Sequence, residues 1–344
     1  MDIWLITSDG ITEQTLDQLP DLVAGEAGAK QVGAQETSAG TVGRGIVWVD
    51  IPSCDETAMH VLTEIFHFHP QAVRDSAQRN RVPKVHVYAD HAFVVLHAPE
   101  MGAAGHVHYV ELDQFIGPNY LVTVHGPINP AVSPEAAEWE THEVLRRVKA
   151  GRFQPGSGWE LSYGVVAALA RRLEEFIEHQ TELVWQLEQR VTSGHMGNPE
   201  QFLDEMFRAR HGLIAVRAMG ALGREIYGRL ARINRAVPAG AKPLLDDIVD
   251  QFSRVYGVAD SQKEYLQGVI EFYRTRSDTK MTVAAERLAV IAVVTLPITA
   301  LSSVFGMNVI VNQSTSYPLL AALLVLMSIM SALLLGWAKR RGWW

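Results

Sequence analysis

Cysteine is almost absent from this chain of 344 residues: Cys54 stands alone. A single thiol excludes an intrachain disulfide and any metal site built on several cysteines, and it fits a soluble part kept in the cytosol. The chain has no P-loop, no Gly-x-Ser-x-Gly elbow and no His-Glu-x-x-His, so nothing in it calls for an enzyme. No long basic run precedes the extreme C-terminal end, and the formal net charge is −8. That balance argues against a nucleic-acid binder. It suits the handling of cations, and it is also the usual device for solubility. Residues 1–10 carry neither a basic n-region nor a long apolar h-region. They read as a first β-strand rather than a signal peptide, so insertion into a membrane is expected from the C-terminal end.

The most telling absence is of charge. From Leu288 to Ala338, 51 consecutive residues are uncharged, with Arg287 before them and Lys339, Arg340 and Arg341 after them. A helix rises about 1.5 Å per residue and the hydrocarbon core is roughly 30 Å thick, so about 20 residues span it. One span is expected at about 288–307 and a second at 318–338. Between them, 308–317 is polar enough for a short external loop. The flanking basic residues place both outer ends in the cytoplasm by the positive-inside rule. Trp337, Trp343 and Trp344 suit the membrane interface, in and beside a basic-aromatic tail at 339–344.

The first span is decorated. Thr295, Thr299, Ser302, Ser303 and Gly306 recur every three or four residues and share one helix face. Such a face serves helix packing or lines a pore, and the spacing alone leaves both open. Pro297 lies inside the span, where it removes a backbone hydrogen bond and can kink the helix. The second span has Ser328 and Ser331 but is otherwise Leu, Ala, Met and Val.

Residues 1–155 read as an α/β domain with a largely antiparallel or mixed sheet. Strands are expected at Ile46–Asp50, Val85–Tyr88, Ala92–Leu96, Val107–Leu112, Gln114–Ile116 and Tyr120–Val124, all rich in β-branched and aromatic residues. Helices are expected at Thr57–Phe66 and Pro134–Ala150. After a Gly/Pro linker at Arg152–Gly158 the pattern is helical: Trp159 to about Thr192, then Glu200 to about Ile233, which makes 159–243 a pair of antiparallel helices. From Leu244 to Met307 Pro297 is the sole proline. That predicts one helix of about 65 residues, roughly 95 Å long. Globular helices are rarely so long, and a stalk packed from several copies explains it economically.

At this point the chain resembles a known family. Gly306-Met307-Asn308 ends the first span, with Pro297 upstream, a short loop, one last span and a basic-aromatic tail. The passage Phe66-His-Phe-His-Pro70, Asp75, Val82-Pro-Lys-Val85, Tyr88 and Phe93-Val-Val-Leu96 agrees. Together these look like the CorA family of divalent-cation channels, over almost the whole chain. The resemblance implies an α+β cytosolic domain (an α/β/α sandwich), a long helical stalk at 244–307 and two transmembrane helices, assembled as a homopentameric funnel in the cell membrane. It implies transport of Mg2+, with Co2+ and Ni2+ tolerated, and partners limited to other copies, the bilayer and divalent cations.

The family's residues carry over as follows. Five Asn308 side chains would ring the outer mouth and accept hydrogen bonds from hydrated Mg2+, which gives up its waters reluctantly. The alternative role for Asn308 is a helix C-cap. Gly306 would offer its carbonyl, Met307 completes the motif, and Thr295, Thr299 and Ser303 would be hydroxyl steps further in. Thr282 stands at the inner mouth, where many members have asparagine, and Glu271 could form an acidic ring that concentrates cations. Asp75 and Asp247 fall on the acids that bind regulatory Mg2+ between subunits. The chain departs from the family at Arg74, where a second acid is common, around Ala167–Arg172, where an acid is missing, and in an external loop without a carboxylate.

Two other readings remain open. Nine of the thirteen histidines lie between His60 and His125, and pairs such as His67/His69 and His106/His108 would share a strand face. They lend weight to a ZntB-like Zn2+ transporter, possibly proton-coupled, though surface or structural histidines explain them as well. A membrane-anchored sensor or scaffold is the third reading.

Overall fold

The computed structural model describes residues 1–24, 45–194, 197–233, 237–306 and 317–340. The chain forms two compact units, Met1–Gln267 and Gly268–Trp344. Seven strands make one mixed sheet in the first unit: β1 (Asp2–Thr7), β2 (Gly10–Glu13), β3 (Ile46–Ile51), β4 (Lys84–Val87), β5 (Ala92–Met101), β6 (Val107–Ile116) and β7 (Tyr120–His125). Their order is β2-β1-β3-β7-β6-β5-β4. All neighbours are antiparallel except β3 and β7, which run parallel with Trp48 opposite Leu121.

The sheet is buried on both faces because its strands are apolar at both parities. On one face Trp48, Val94, Leu96, Leu112 and Leu121 join a core with Leu169, Leu173, Tyr227 and Phe252. On the other, Val49, Phe93, Val95, Phe115 and Val122 pack against Ala58, Leu62, Phe66 and Phe68. The second layer comes from α1 (Glu56–His60), which runs on into a π-helical turn at Val61–Ile65, and α2 (Pro70–Ser76). The first comes from α3 (Pro134–Ala137), α4 (Trp139–Lys149), α5 (Gly158–Ser193), α6 (Pro199–Ala231) and the start of α7 (Lys242–Gly306). The unit is an α/β/α sandwich, as expected.

Local chemistry sets the helix starts. Asp55, His69, Ser133, Ser157 and Asn198 each cap a helix by accepting a backbone N–H, and Pro70, Pro134 and Pro199 follow three of those caps. Gly194, with φ 82°, ends α5 in the left-handed conformation. A Cβ on Gly158 would lie 2.2 Å from the Tyr120 carbonyl oxygen, so only glycine lets α5 start so close to the β6–β7 turn.

Two expected strands, Val107–Leu112 and Gln114–Ile116, prove to be one, because Asp113 continues the ladder opposite Val95. Its neighbour Glu111 is buried and accepts from Asn80 N at 2.8 Å and Asn80 Nδ2 at 2.6 Å. Asp113 is fully buried and its oxygens accept no hydrogen bond of good geometry; the Ser76 hydroxyl donates instead to the Ala72 carbonyl at 3.2 Å. Burial first, and the Glu111 charge second, hold the Asp113 carboxyl well above the usual carboxylate range.

Arg172, 9% exposed, ties the layers together. It donates to Glu140 Oε1 at 2.9 Å, Glu100 Oε2 at 2.7 Å and the Ala136 carbonyl at 2.9 Å, linking α5 to α4, β5 and α3. Burial opposes its charge, but the carboxylates outweigh that, Glu140 foremost, and raise its pKa.

In unfolded chain Asp113 ionises above pH ~4, whereas its raised pKa in the fold makes it hold its proton to higher pH, so rising pH favours unfolding at this residue. Asp113→Asn, neutral at every pH, should therefore melt a few degrees above the native protein at pH ~7.5 and level with it near pH ~4. Melting curves of the two proteins across this range check it; a gap independent of pH would refute a protonated Asp113.

Candidate functional site: a polar stripe on the longest helix

Helix α7 is continuous for 65 residues, Lys242 to Gly306, and Pro297 lies within it without ending it. Pro297 offers no N–H to the carbonyl of Val293, and the helix tolerates that one loss. Helix α8 follows at Tyr317–Arg340. Both are long and apolar enough to cross a membrane, and their apolar stretches are almost wholly exposed within the single chain.

The second unit contains a regular stripe. Glu271, Thr275, Asp278, Thr282, Ala285, Ala289, Ala292, Leu296, Thr299, Ser303 and Gly306 follow one another in alternating steps of four and three residues along α7. That repeat keeps them on one side of a helix, drifting by about 20° per heptad unless the helix supercoils. All of them are exposed except the half-buried Ala292. Of the residues singled out from sequence, Glu271, Thr282, Thr299, Ser303 and Gly306 lie on the stripe and Thr295 flanks it. Met307 and Asn308 lie outside the described residues.

The hydroxyls are partly spent. Thr295 donates to the Ile291 carbonyl at 2.8 Å and Thr299 to the Thr295 carbonyl at 2.9 Å. Lower down, Thr275 donates to Glu271 O and Thr282 to Asp278 O, both at 3.0 Å. With its one hydrogen directed back along the helix, each hydroxyl has only oxygen lone pairs left to present. Asp278, two turns beyond Glu271 on the same face, was not singled out from sequence. A search for the heptad rather than for single acids would have found it.

The first unit holds the two acids matched to regulatory positions, and within one chain each has its own partners. Asp75, on α2, pairs with Lys84 Nζ on β4 at 2.7 Å. Asp247, on the exposed side of α7, accepts from Tyr163 Oη at 2.7 Å and Gln251 Nε2 at 2.6 Å, both on Oδ2. Beside it Arg147, Arg171 and Arg254 line a polar cavity of about 290 Å3 with Tyr163 and Gln251. Where sequence suggested a missing acid near Arg172, the fold has the clamp on Glu140 and Glu100.

His67 and His69 do not share a strand: His67 follows the π-helical turn at φ 54°, and His69 caps α2 through Nδ1. His91 stacks between Phe68 and Tyr88, and His97 bonds the Asn80 carbonyl at 2.8 Å. His106 precedes β6 and meets His108 edge to face, ring centres 4.4 Å apart. Among the described residues no group of three or more His, Cys, Asp or Glu side chains is arranged to hold a metal ion.

A family model described as CorA-like Mg2+ transporter protein matches residues 43–341. The chain belongs to this family. It is thus a metal-ion transporter of CorA type, the family is one of transporters rather than an enzyme class, and the chain's two apolar helices accord with the family's membrane location. Among curated proteins it is 23% identical over 307 residues to "Putative metal ion transporter YfjQ" of Bacillus subtilis, spanning 86% of this chain and 89% of that one. It is 19% identical to the cobalt/magnesium transport protein CorA of Thermotoga maritima, spanning 86% and 83%. Among solved structures, the complete CorA magnesium transporter of Methanocaldococcus jannaschii superposes with TM-score 0.75 at 13% identity, covering 100% of this chain and 99% of that one. The cytoplasmic domain of ZntB from Vibrio parahaemolyticus gives 0.57 at 10% identity over 81% and 98%. At these identities the structures establish the fold: a mixed-sheet domain, a long helix and a C-terminal apolar helix.

Proposed function

We propose that the chain assembles as a homopentamer and conducts hydrated divalent cations, Mg2+ foremost with Co2+ and Ni2+ tolerated, along the stripe of α7. The carrying observation is that the polar side chains of the stripe offer only oxygen. Mg2+ is a hard cation that prefers oxygen ligands and keeps its waters, whereas Zn2+ favours histidine and cysteine. Hydroxyls whose hydrogens are turned back along the helix are acceptors toward a hydration shell. Glu271 and Asp278 provide negative charge at the inner end, and the Gly306-Met307-Asn308 motif provides the outer mouth. On this reading 288–307 and 318–338 span the membrane with both outer ends in the cytoplasm, and 1–155, 159–243 and 244–287 form the internal part. A double charge moving through 100 mV gains about 4.6 kcal/mol, enough to drive entry without ATP.

Regulation by internal Mg2+ is assigned to Asp75 and Asp247 across neighbouring subunits. Unneutralised, two such acids repel; a bound cation draws them together. Lys84 already neutralises Asp75 within its own chain. A cation arriving there must displace or share that partner, so Lys84 sets how much Mg2+ closes the gate.

Four experiments test this reading. Asn308→Ala should abolish Mg2+ uptake into proteoliposomes, and normal uptake would remove the role given to Asn308. The same assay run with Zn2+, with and without a pH gradient, should favour Mg2+ and ignore protons; proton-coupled Zn2+ flux would instead assign the chain the ZntB-like role. In a Cys54→Ser background, Thr275→Cys should form disulfide-linked dimers on mild oxidation and Lys280→Cys, on the opposite face, should not; equal cross-linking would show that the stripe does not face other copies. For the gate, Asp75→Asn and Asp247→Asn should each weaken Mg2+-dependent protection from proteolysis, while Lys84→Gln should bring protection at several-fold lower Mg2+. Unchanged protection in all three rejects the assignment.

A further inference from the structure

The two parallel strands of the sheet end side by side, β3 at Ile51 and β7 at His125. Beyond their carboxyl ends lies a cavity of about 290 Å3. Crevices outside the carboxyl ends of parallel strands are where α/β sheets commonly take ligands, in pockets of roughly 300–1,000 Å3. Much of the wall is apolar: Val110, Pro127, Ile128, Val132 and Ala137 contribute to it. Charges of both signs complete it, Arg79 and His125 against Glu111 and Glu138.

His125 is the least ordinary of these. It is 2% exposed, its Nε2 lies 3.0 Å from Asp50 Oδ1, and Thr123 Oγ1 donates to the same oxygen at 2.5 Å. Burial disfavours the imidazolium, but the Asp50 carboxylate outweighs burial and raises its pKa. Burial likewise pushes Asp50 up, and the His125 cation more than offsets it, so that carboxyl is lowered. With Nε2 3.0 Å from that carboxylate, the pairing favours the imidazolium, whose second hydrogen sits on Nδ1. That nitrogen is buried and has no partner. A buried ring nitrogen left unpaired is costly, so something in the cavity should pair with it. One water could do so, but apolar walls give further waters few partners.

The charged lining narrows the occupant. Arg79 is exposed at the rim and forms no ion pair among the described residues. Glu111 is taken up by Asn80, whereas among the described residues Glu138 is at ion-pair distance only from His142, 3.5 Å away. A simple anion would meet Glu138, and a simple cation would meet Arg79. A molecule with both charges and an apolar body meets neither conflict.

We propose that this crevice is a binding site for a small apolar zwitterion of the α-amino-acid class, its carboxylate held by His125 Nδ1 and Arg79, its ammonium by Glu138, and its side chain against Val110, Val132 and Ala137. The site is remote in sequence from the stripe on α7 and does not depend on the transport reading.

Calorimetric titration of the full chain in nanodiscs tests it, with leucine and phenylalanine as probes beside their amides and N-acetyl derivatives. The free amino acids should bind saturably at micromolar to low-millimolar concentration, and removing either charge should weaken binding by about ten-fold or more. Arg79→Gln and Glu138→Gln should each weaken it by a similar factor with melting temperatures unchanged. Both side chains lie at the surface of the cavity, so neither change removes core packing. Failure of every probe to bind at ~10 mM overturns the proposal. So does binding of the amides and N-acetyl forms equal to that of the free amino acids, or binding indifferent to both substitutions.

Discussion

A helix in hydrocarbon has no water to finish its hydrogen bonds, and on the proposed reading this requirement shapes the part of the chain that conducts ions. It explains why α7 runs on past Pro297, where a single carbonyl is orphaned, rather than ending there. It also explains where the hydroxyl hydrogens go. Thr295 and Thr299 give theirs to carbonyls one turn back, so a polar side chain resides among apolar neighbours with its donor satisfied. The oxygen that remains is an acceptor on an exposed face. One constraint thus yields both a stable span and a row of groups suited to the water shell of a cation.

The soluble unit solves a different problem, how to keep a two-sided sheet rigid with ionisable groups inside it. Three solutions coexist. Arg172 is buried but held by two carboxylates, and removing the arginine would leave the buried Glu140 uncompensated, which typically costs about 3–5 kcal/mol. Asp50 and His125 neutralise each other at the ends of the parallel strands. Asp113 has no such partner and keeps its proton instead. The same strand that carries Asp113 also carries Glu111, where burial raises the pKa and the Asn80 donors oppose that rise.

Much of this was legible in the sequence, and the exceptions are instructive. The uncharged run, the Gly/Pro linker at Arg152–Gly158 and the helical patterns that follow it marked the long helices to within a residue or two. Strand β6 was read as two because an aspartate in mid-strand signals a break, and only the fold reveals that its carboxyl is neutral. Strand β2, four residues at the sheet edge with little burial, gave no hydrophobic signal. The heptad stripe was visible in principle, but its centre is alanine and leucine, which read equally well as packing. The links Asp75–Lys84, Asp247–Tyr163 and His125–Asp50 join residues 9 to 84 positions apart. Pairings like the last two follow from chain topology, not from any local pattern.

The distribution of charge along α7 carries a last consequence for the proposed channel. On the stripe acids stand at Glu271 and Asp278; Glu286, off the stripe, is the last acid before the 51-residue uncharged stretch. A carboxylate at the middle of a bilayer costs roughly 2.5–3.5 kcal/mol even on permissive scales. It would also hold a divalent cation strongly, and conduction requires that binding be weak enough to release. Hydroxyl and amide oxygens give the opposite compromise, attraction to the hydration shell without a fixed charge. With no carboxylate in the segment after Asn308 either, the driving charge must come from the inner acids and the membrane potential. Selectivity then rests on how well neutral oxygens match the geometry of a hydrated ion rather than on the strength with which they hold it.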